Sequence, residues 1–127
     1  DSNLDQNLII TSVKLKGKVF SKELIQNKQQ TLIEEKKKSQ PSQIKTCGST
    51  FKNTKNKKAW ELIKESNCEN YQIGRAKISE KHCNFFINEG KATAKELEDL
   101  INKVKETVYQ KTKISLELEI KIIGHNR

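Results

Sequence analysis

The sequence lacks several features that mark common classes of protein. It has no methionine, one proline and only 6% aromatic residues among 127 positions. Aromatic residues this sparse, and not interleaved with basic ones, argue against a base-stacking surface for single-stranded nucleic acid. No apolar run approaches the ~20 residues of a membrane-spanning helix. The N-terminus, Asp1-Ser2-Asn3-Leu4-Asp5, is unlike a secretory signal, and the missing initiator methionine suggests a processed chain or a fragment.

The cysteines do not form a recognisable disulfide or zinc pattern. Cys47, Cys68 and Cys83 are an odd set without a Cys-x-x-Cys pair. Cys68 and Cys83 are conceivable metal ligands together with His82, but their spacing is poor, and we expect no metal site. Free thiols, buried or partly buried, in a reducing cytoplasm fit this pattern best.

Positive charge is what the sequence has in excess. The net charge is +9, and residues 1–58 alone carry +8. A basic half of this kind can attract nucleic acid, an anionic membrane or a phosphorylated small molecule. Lysines that simply decorate solvated surfaces are the simpler interpretation. With 33% hydrophobic and 32% charged residues, the chain should form one small domain with a thin core.

The first part of the chain predicts one strand and one helix. Residues 8–16 alternate in the manner of a β-strand that ends at Gly17. Ser21 is a suitable N-cap for a helix that runs to about Lys38. Three lysines in the last turn suit the negative end of the helix dipole, although they could instead bind phosphate. The helix has one apolar stripe, formed by Leu24, Ile25, Leu32 and Ile33.

The remaining elements predict a two-layer α+β domain with a mainly antiparallel sheet. Helices and strands are mixed without a regular βαβ alternation. Thr93 with Glu96 forms a capping box, and we expect Trp60 and Ile63 to face the core. The predicted elements are a helix over 59–66, strands over 71–73, 76–78 and 84–88, a helix over 94–110 and a strand over 116–122.

The stretch 46–53 groups small hydrogen-bonding residues in a predicted loop. Gly48 would let the backbone approach a ligand, and Ser49 could donate a hydrogen bond or a proton. Lys52 and Asn53 could meet an anionic or hydroxylated ligand. A turn followed by a helix cap is the ordinary interpretation of such a stretch.

Five segments in one order resemble a known enzyme family. Together they are similar to the C-terminal part of the UDP-N-acetylenolpyruvoylglucosamine reductases, also called UDP-N-acetylmuramate dehydrogenases. The resemblance covers the chain from about Leu8 to Gly124. The segments are SQP at 39–41, GSTFKN at 48–53, AWELI at 59–63, ISEKHCNF at 78–85 and ELEIKIIG at 117–124.

The resemblance implies a bacterial cytoplasmic enzyme of peptidoglycan synthesis that uses FAD and NADPH. Its substrate would be UDP-N-acetylglucosamine enolpyruvate, with neither nucleic acid nor a membrane as partner. Residues 1–20 would be the tail end of the preceding flavin-binding region, and residues 21–127 the C-terminal substrate-binding domain. The flavin site and a catalytic arginine would lie outside this chain, so the chain alone should be inactive.

The same resemblance implies roles for individual residues. Ser49 would donate a proton to C2 of the substrate, and Glu119 would stabilise the enolate from a partly buried position. Asn53 would contact the UDP portion, with Lys52 beside it. An ordinary exposed strand position is the alternative for Glu119. His82 is expected to be a hydrogen-bonded structural histidine.

Three positions depart from the family pattern. Cys47 replaces a small residue and could crowd the serine loop. Thr54 replaces a common proline, which would loosen the turn, and Arg75 stands where a second glycine is usual. The alternative function is a stand-alone basic module that binds nucleic acid or another polyanion.

Overall fold

The computed structural model describes residue 5 and residues 7–41 and 44–124. No helix within these ranges has the length and apolar character needed to cross a membrane. The elements, in chain order, are α1 Lys22–Ser39, β1 Lys45–Ser49, α2 Ala59–Glu65, β2 Gln72–Ile73, β3 Ala76–Ile78, β4 Phe85–Asn88 and α3 Ala94–Thr112.

The four strands form one antiparallel sheet in the order β1-β4-β3-β2. β2 and β3 are joined by a tight turn at Gly74, whose φ of +55° suits a residue without a side chain. β3 pairs with β4, and β4 pairs with the edge strand β1. The α+β class and the antiparallel sheet are therefore confirmed.

The core lies between the sheet and the helices α2 and α3. The capping box predicted for α3 is confirmed, since the Thr93 hydroxyl accepts from the Glu96 amide at 3.2 Å and the Glu96 carboxylate accepts from the Thr93 amide at 2.8 Å. α3 contacts β2, β3 and α2. Its buried stripe consists of Leu100, Ile101, Val104 and Val108, and α2 adds Leu62 and Ile63.

The strand predicted over 116–122 is wrong, because the segment forms only one isolated bridge, between Phe51 and Leu118. Two backbone hydrogen bonds of 2.9 Å surround that bridge, from Lys52 to Glu117 and from Glu119 to Thr50. Within the described chain, the segment 116–122 pairs only with the backbone of residues 50–52, just past β1, and this stretch is too short to form a strand pair. Alternation persists in the side chains, since Leu116 is buried and both glutamates are exposed.

The strand predicted over 8–16 is also wrong. The segment has no regular secondary structure, and its apolar side chains, such as Ile9 and Leu15, are exposed. A strand needs a neighbour to pair its backbone groups, and no other part of the described chain supplies one.

The helix α1 is confirmed, but it packs differently from the other two helices. The Ser21 hydroxyl accepts from the Leu24 amide at 3.3 Å, as an N-cap does. None of the residues of α1 is buried, so the predicted stripe faces solvent. The Lys81 ammonium donates to the Lys37 carbonyl at 3.3 Å and links the end of α1 to the rest of the chain.

Candidate active site

The loop predicted over 46–53 is wrong in its first half, because Thr46 to Ser49 belong to β1. The backbone of β4 pairs with this stretch, which local composition could not reveal. The pairing is irregular between Thr46 and Ser49, and Gly48 there has a φ of +85°. Bulges of this kind bend an edge strand and turn its side chains toward a new direction.

Immediately after the bulge lies a polar cleft of about 470 Å³. It contains all four residues singled out from the sequence, Ser49, Lys52, Asn53 and Glu119. Its other lining residues were not predicted as site residues, and they are Phe51, Lys58, Trp60, His82 and Asn84.

Asn84 fixes the strand that lines the cleft. Its side chain is buried and hydrogen-bonds both backbone groups of Phe51, accepting from the amide at 3.0 Å and donating to the carbonyl at 2.8 Å. Its own carbonyl accepts from the Thr50 amide at 2.8 Å. Because the two residues after Ser49 are held at three points, the position of Ser49 is well defined.

Ser49 is half-buried, and its backbone pairs with Phe85 of β4. Among the described residues, its hydroxyl makes no hydrogen bond. A serine hydroxyl can both donate and accept, so this group is available to a bound molecule.

Glu119 comes to the cleft through the isolated bridge. Its amide donates to the carbonyl of Thr50, the residue next to Ser49, although the two lie far apart in sequence. The carboxylate is exposed rather than partly buried, so that expectation is wrong for this chain. The bridge leaves the outer face of the 117–119 segment open to solvent.

Asn53 and Lys52 occupy the side of the cleft toward α2. The side-chain Oδ1 of Asn53 accepts from the Ala59 amide at 3.0 Å, which leaves the side-chain NH₂ group for other partners. The Lys52 ammonium lies 3.9 Å from the Glu117 carboxylate. Lys58 adds a second cation to this side of the cleft.

His82 has the structural hydrogen bond that was predicted, and it also lines the cleft. Its Nδ1 accepts from the Asn84 amide at 3.3 Å, and its ring meets Phe85 edge-on with centroids 4.9 Å apart. Burial lowers the pKa of this imidazole below its usual range, so the neutral form is favoured.

The prediction that Trp60 faces the core is wrong, because Trp60 is only partly buried and lies outside the buried core cluster. The same prediction is confirmed for Ile63, which is fully buried. The Trp60 carbonyl accepts from the Cys83 thiol at 3.1 Å. Both residues of the expected core pair lie on α2, but only Ile63 belongs to the buried core cluster. The position of Trp60 within the recognised segment 59–63 was the available signal that it could belong to the cleft.

The thiols do not build a metal centre in the described part of the chain, where no group of His, Cys, Asp or Glu residues could hold an ion. Cys68 is buried and Cys83 is half-buried, and burial raises the pKa of both thiols. Cys68 belongs to the buried core cluster and Cys83 packs against it, so both are packing residues rather than ligands.

A model of the C-terminal domain of UDP-N-acetylenolpyruvoylglucosamine reductases matches residues 40–123. The chain belongs to this family. The reductase from Wolbachia of Drosophila simulans is 48% identical over 122 residues, and that from Pelagibacter ubique is 45% identical over 125 residues. Each match covers 96% of this chain and 41% of the relative. The chain thus spans about two fifths of the length of these curated relatives.

A solved structure shows the same fold. The UDP-N-acetylenolpyruvylglucosamine reductase from Thermus caldophilus is similar with a TM-score of 0.69 and 34% identity, over 82% of this chain and 36% of that chain. The likeness therefore extends from sequence to the arrangement of the α+β domain.

The three departures from the reductase pattern are accommodated in the structure. Cys47 is exposed and is not among the residues that line the cleft, so it does not crowd Ser49. Thr54 closes its turn instead of loosening it, because its hydroxyl accepts from the Lys57 amide at 2.9 Å and donates to the Lys57 carbonyl at 2.8 Å. Arg75 is exposed in the turn between β2 and β3.

Proposed function

We propose that this chain is the C-terminal, substrate-binding part of a reductase that converts UDP-N-acetylglucosamine enolpyruvate into UDP-N-acetylmuramate for bacterial peptidoglycan synthesis in the cytoplasm. The supporting observation is the cleft, in which a serine and a glutamate from a distant segment flank the same backbone residue, Thr50, and the serine hydroxyl has no hydrogen-bond partner among the described residues. That arrangement suits one proton donor and one group that acts on developing negative charge.

Ser49 is proposed to protonate C2 of the enolpyruvyl group. A serine hydroxyl is a weak acid, so it can act only where a carbanion or enolate already develops beside it and where its position is fixed. The clamp made by Asn84 on Thr50 and Phe51 meets the second requirement. The acid also needs an uncommitted proton, and the Ser49 hydroxyl makes no hydrogen bond within the described part of the chain.

Glu119 is proposed to stabilise the enolate, acting with groups that this chain does not contain. Its present exposure is compatible with that role, because a neighbouring domain would cover the outer face of the 117–119 segment and desolvate the carboxyl group. Asn53 and Lys52 are proposed to contact the nucleotide sugar from the α2 side of the cleft.

FAD and NADPH are proposed as cofactors, held mainly outside the described residues. The volume of the cleft, about 470 Å³, is that of a site for one small molecule, and its polar lining suits a nucleotide sugar. When bound, the flavin would supply a hydride to C3 of the substrate. Since this chain contributes only one side of such a site, we expect it to be inactive alone.

Residues 1–20 are proposed to be the tail of a preceding flavin-binding region, and residues 21–127 the substrate-binding domain. The exposure of Ile9, Leu15 and Val19 supports the first assignment, because apolar side chains at this density normally have a packing partner. Part of both assignments lies outside the described residues, namely 1–4, 6, 42, 43 and 125–127.

The test uses the product of the complete gene. We expect a yellow protein that oxidises NADPH when the enolpyruvyl UDP-sugar is added. Ser49→Ala should lower that turnover by about 10²–10⁴-fold while NADPH still reduces the flavin. Ser115→Ala is the matched control, since Ser115 is exposed and away from the cleft lining.

A colourless protein, or a Ser49→Ala enzyme as fast as the wild type, would contradict the proposal. Salt-sensitive binding to polyanions without any UDP-sugar binding would instead favour the basic binding module. No observation in the cleft favours that module at present.

A further inference from the structure

We propose that His82 is a substrate-positioning residue, whose Nε2–H donates a hydrogen bond to a diphosphate oxygen of the UDP-sugar. The inference rests on the proposed function, and it assigns to His82 a role that neither the family resemblance nor the sequence pattern indicated. It begins from the fact that the imidazole lines the same cleft as Ser49 and Asn53.

The hydrogen bond to Asn84 determines which nitrogen of His82 carries the proton. Because Nδ1 accepts from the Asn84 amide, it cannot itself be protonated, and the neutral ring must carry its hydrogen on Nε2. Within the described chain, Nε2 has no hydrogen-bond partner. The ring therefore offers one N–H donor to whatever occupies the cleft.

The charges around His82 suit an anionic ligand. Lys52, Lys58 and Glu119 are the charged groups that line the cleft with it. The two ammonium groups supply positive charge, and a hydrogen bond from an oriented N–H group to an anionic phosphate oxygen would be charge-assisted. Burial lowers the pKa of the imidazole and so disfavours the imidazolium, whose protonated Nδ1 could not accept from the Asn84 amide.

The ring is also held rigidly with respect to Ser49. The His82 carbonyl accepts from the Phe85 amide at 2.9 Å, and Phe85 pairs with Ser49 across β4 and β1. Asn84, between them, clamps the backbone of Phe51. A donor fixed to the same strand pair as the proposed acid would set the distance between the diphosphate and the reacting carbon.

Two substitutions separate the binding role from the structural one. Asparagine places an acceptor where Nδ1 lies, so His82→Asn keeps the bond to the Asn84 amide and loses the donor. Glutamine places an N–H group where Nε2 lies, so His82→Gln keeps the donor and loses the anchor. The pair therefore removes one function of the imidazole at a time.

The experiment measures kcat, KM for the UDP-sugar, Kd for UDP and the melting temperature of the complete gene product and both variants. His82→Asn should raise KM and the Kd for UDP by about tenfold or more, with kcat much less affected, because a hydrogen bond to a charged group is lost. His82→Gln should restore most of that affinity, even though its melting temperature falls below that of His82→Asn.

Wild-type affinity in His82→Asn would overturn the inference, as would a loss of affinity that follows the melting temperature across both variants. In either case the turnover of the wild type would still support the proposed reductase. A wild-type protein without UDP-sugar-dependent NADPH oxidation would overturn the proposed function, and this inference with it.

Discussion

The first forty residues and the rest of the described chain differ in whether their apolar side chains are exposed or buried. Among the residues that the structure describes, eleven of the fifteen exposed large hydrophobic residues precede residue 41, whereas every buried hydrophobic residue follows residue 50. Yet α1 and α3 have nearly the same length, 18 and 19 residues, and each has a side-chain N-cap. The comparison shows that local signals suffice to form a helix, while burial depends on what the helix meets.

The largest expected difference between the two regions concerns leucines. Leu62 of α2 is fully buried, and Leu32 of α1 is 56% exposed. Leu62→Ala should lower the free energy of unfolding by about 2–5 kcal/mol, because it leaves a cavity in the core. Leu32→Ala should change it by no more than about 0.5 kcal/mol. Urea unfolding followed by Trp60 fluorescence measures both; equal losses would mean that α1 packs on the core.

Glycines give the next largest difference. Gly74 has a φ of +55°, and a Cβ there would collide with the carboxylate of Glu96, which caps α3. Gly74→Ala should therefore cost about 1–3 kcal/mol. At Gly17 an added Cβ meets no atom of the described residues within 4 Å, so Gly17→Ala should be neutral. The urea midpoints of the two variants test this, and a stable Gly74→Ala protein would contradict the geometry of the turn.

The N-caps give the smallest difference. Thr93→Ala should lower the free energy of unfolding of the α+β domain by about 1 kcal/mol, because the Glu96 amide loses its acceptor. Ser21→Ala removes the matching bond in α1, to the Leu24 amide. It should reduce helical circular dichroism and leave the Trp60 transition unchanged. A shift of that transition in Ser21→Ala would show that α1 unfolds together with the core.

Much of the fold could be predicted, because its signals are local. Caps, apolar stripes and glycine turns located all three helices, the β2–β3 hairpin and β4 correctly. The failures are all strands, at 8–16, at 46–49 and at 116–122. Alternation shows which face of a strand is apolar, but it does not show whether a backbone partner is present.

The site divides in the same way. Ser49, Lys52, Asn53 and Glu119 were available from the recognised segments, and the structure brings them into one cleft. Lys58, His82 and Asn84 were missed as site residues, although His82 and Asn84 belong to a recognised segment. For these two residues the reason is that nothing in a sequence shows that the turn between β3 and β4 folds back toward β1.

The sequence by itself determined the helices, their caps, the fold class and the family, since these depend on residue types at short spacing and on ordered motifs. Only the tertiary structure decided which apolar stripe is buried, which alternating segments become strands and which polar side chains share a cleft. Each of those outcomes depends on contacts between residues far apart in the chain, such as the Phe51–Leu118 bridge that brings Glu119 beside Thr50.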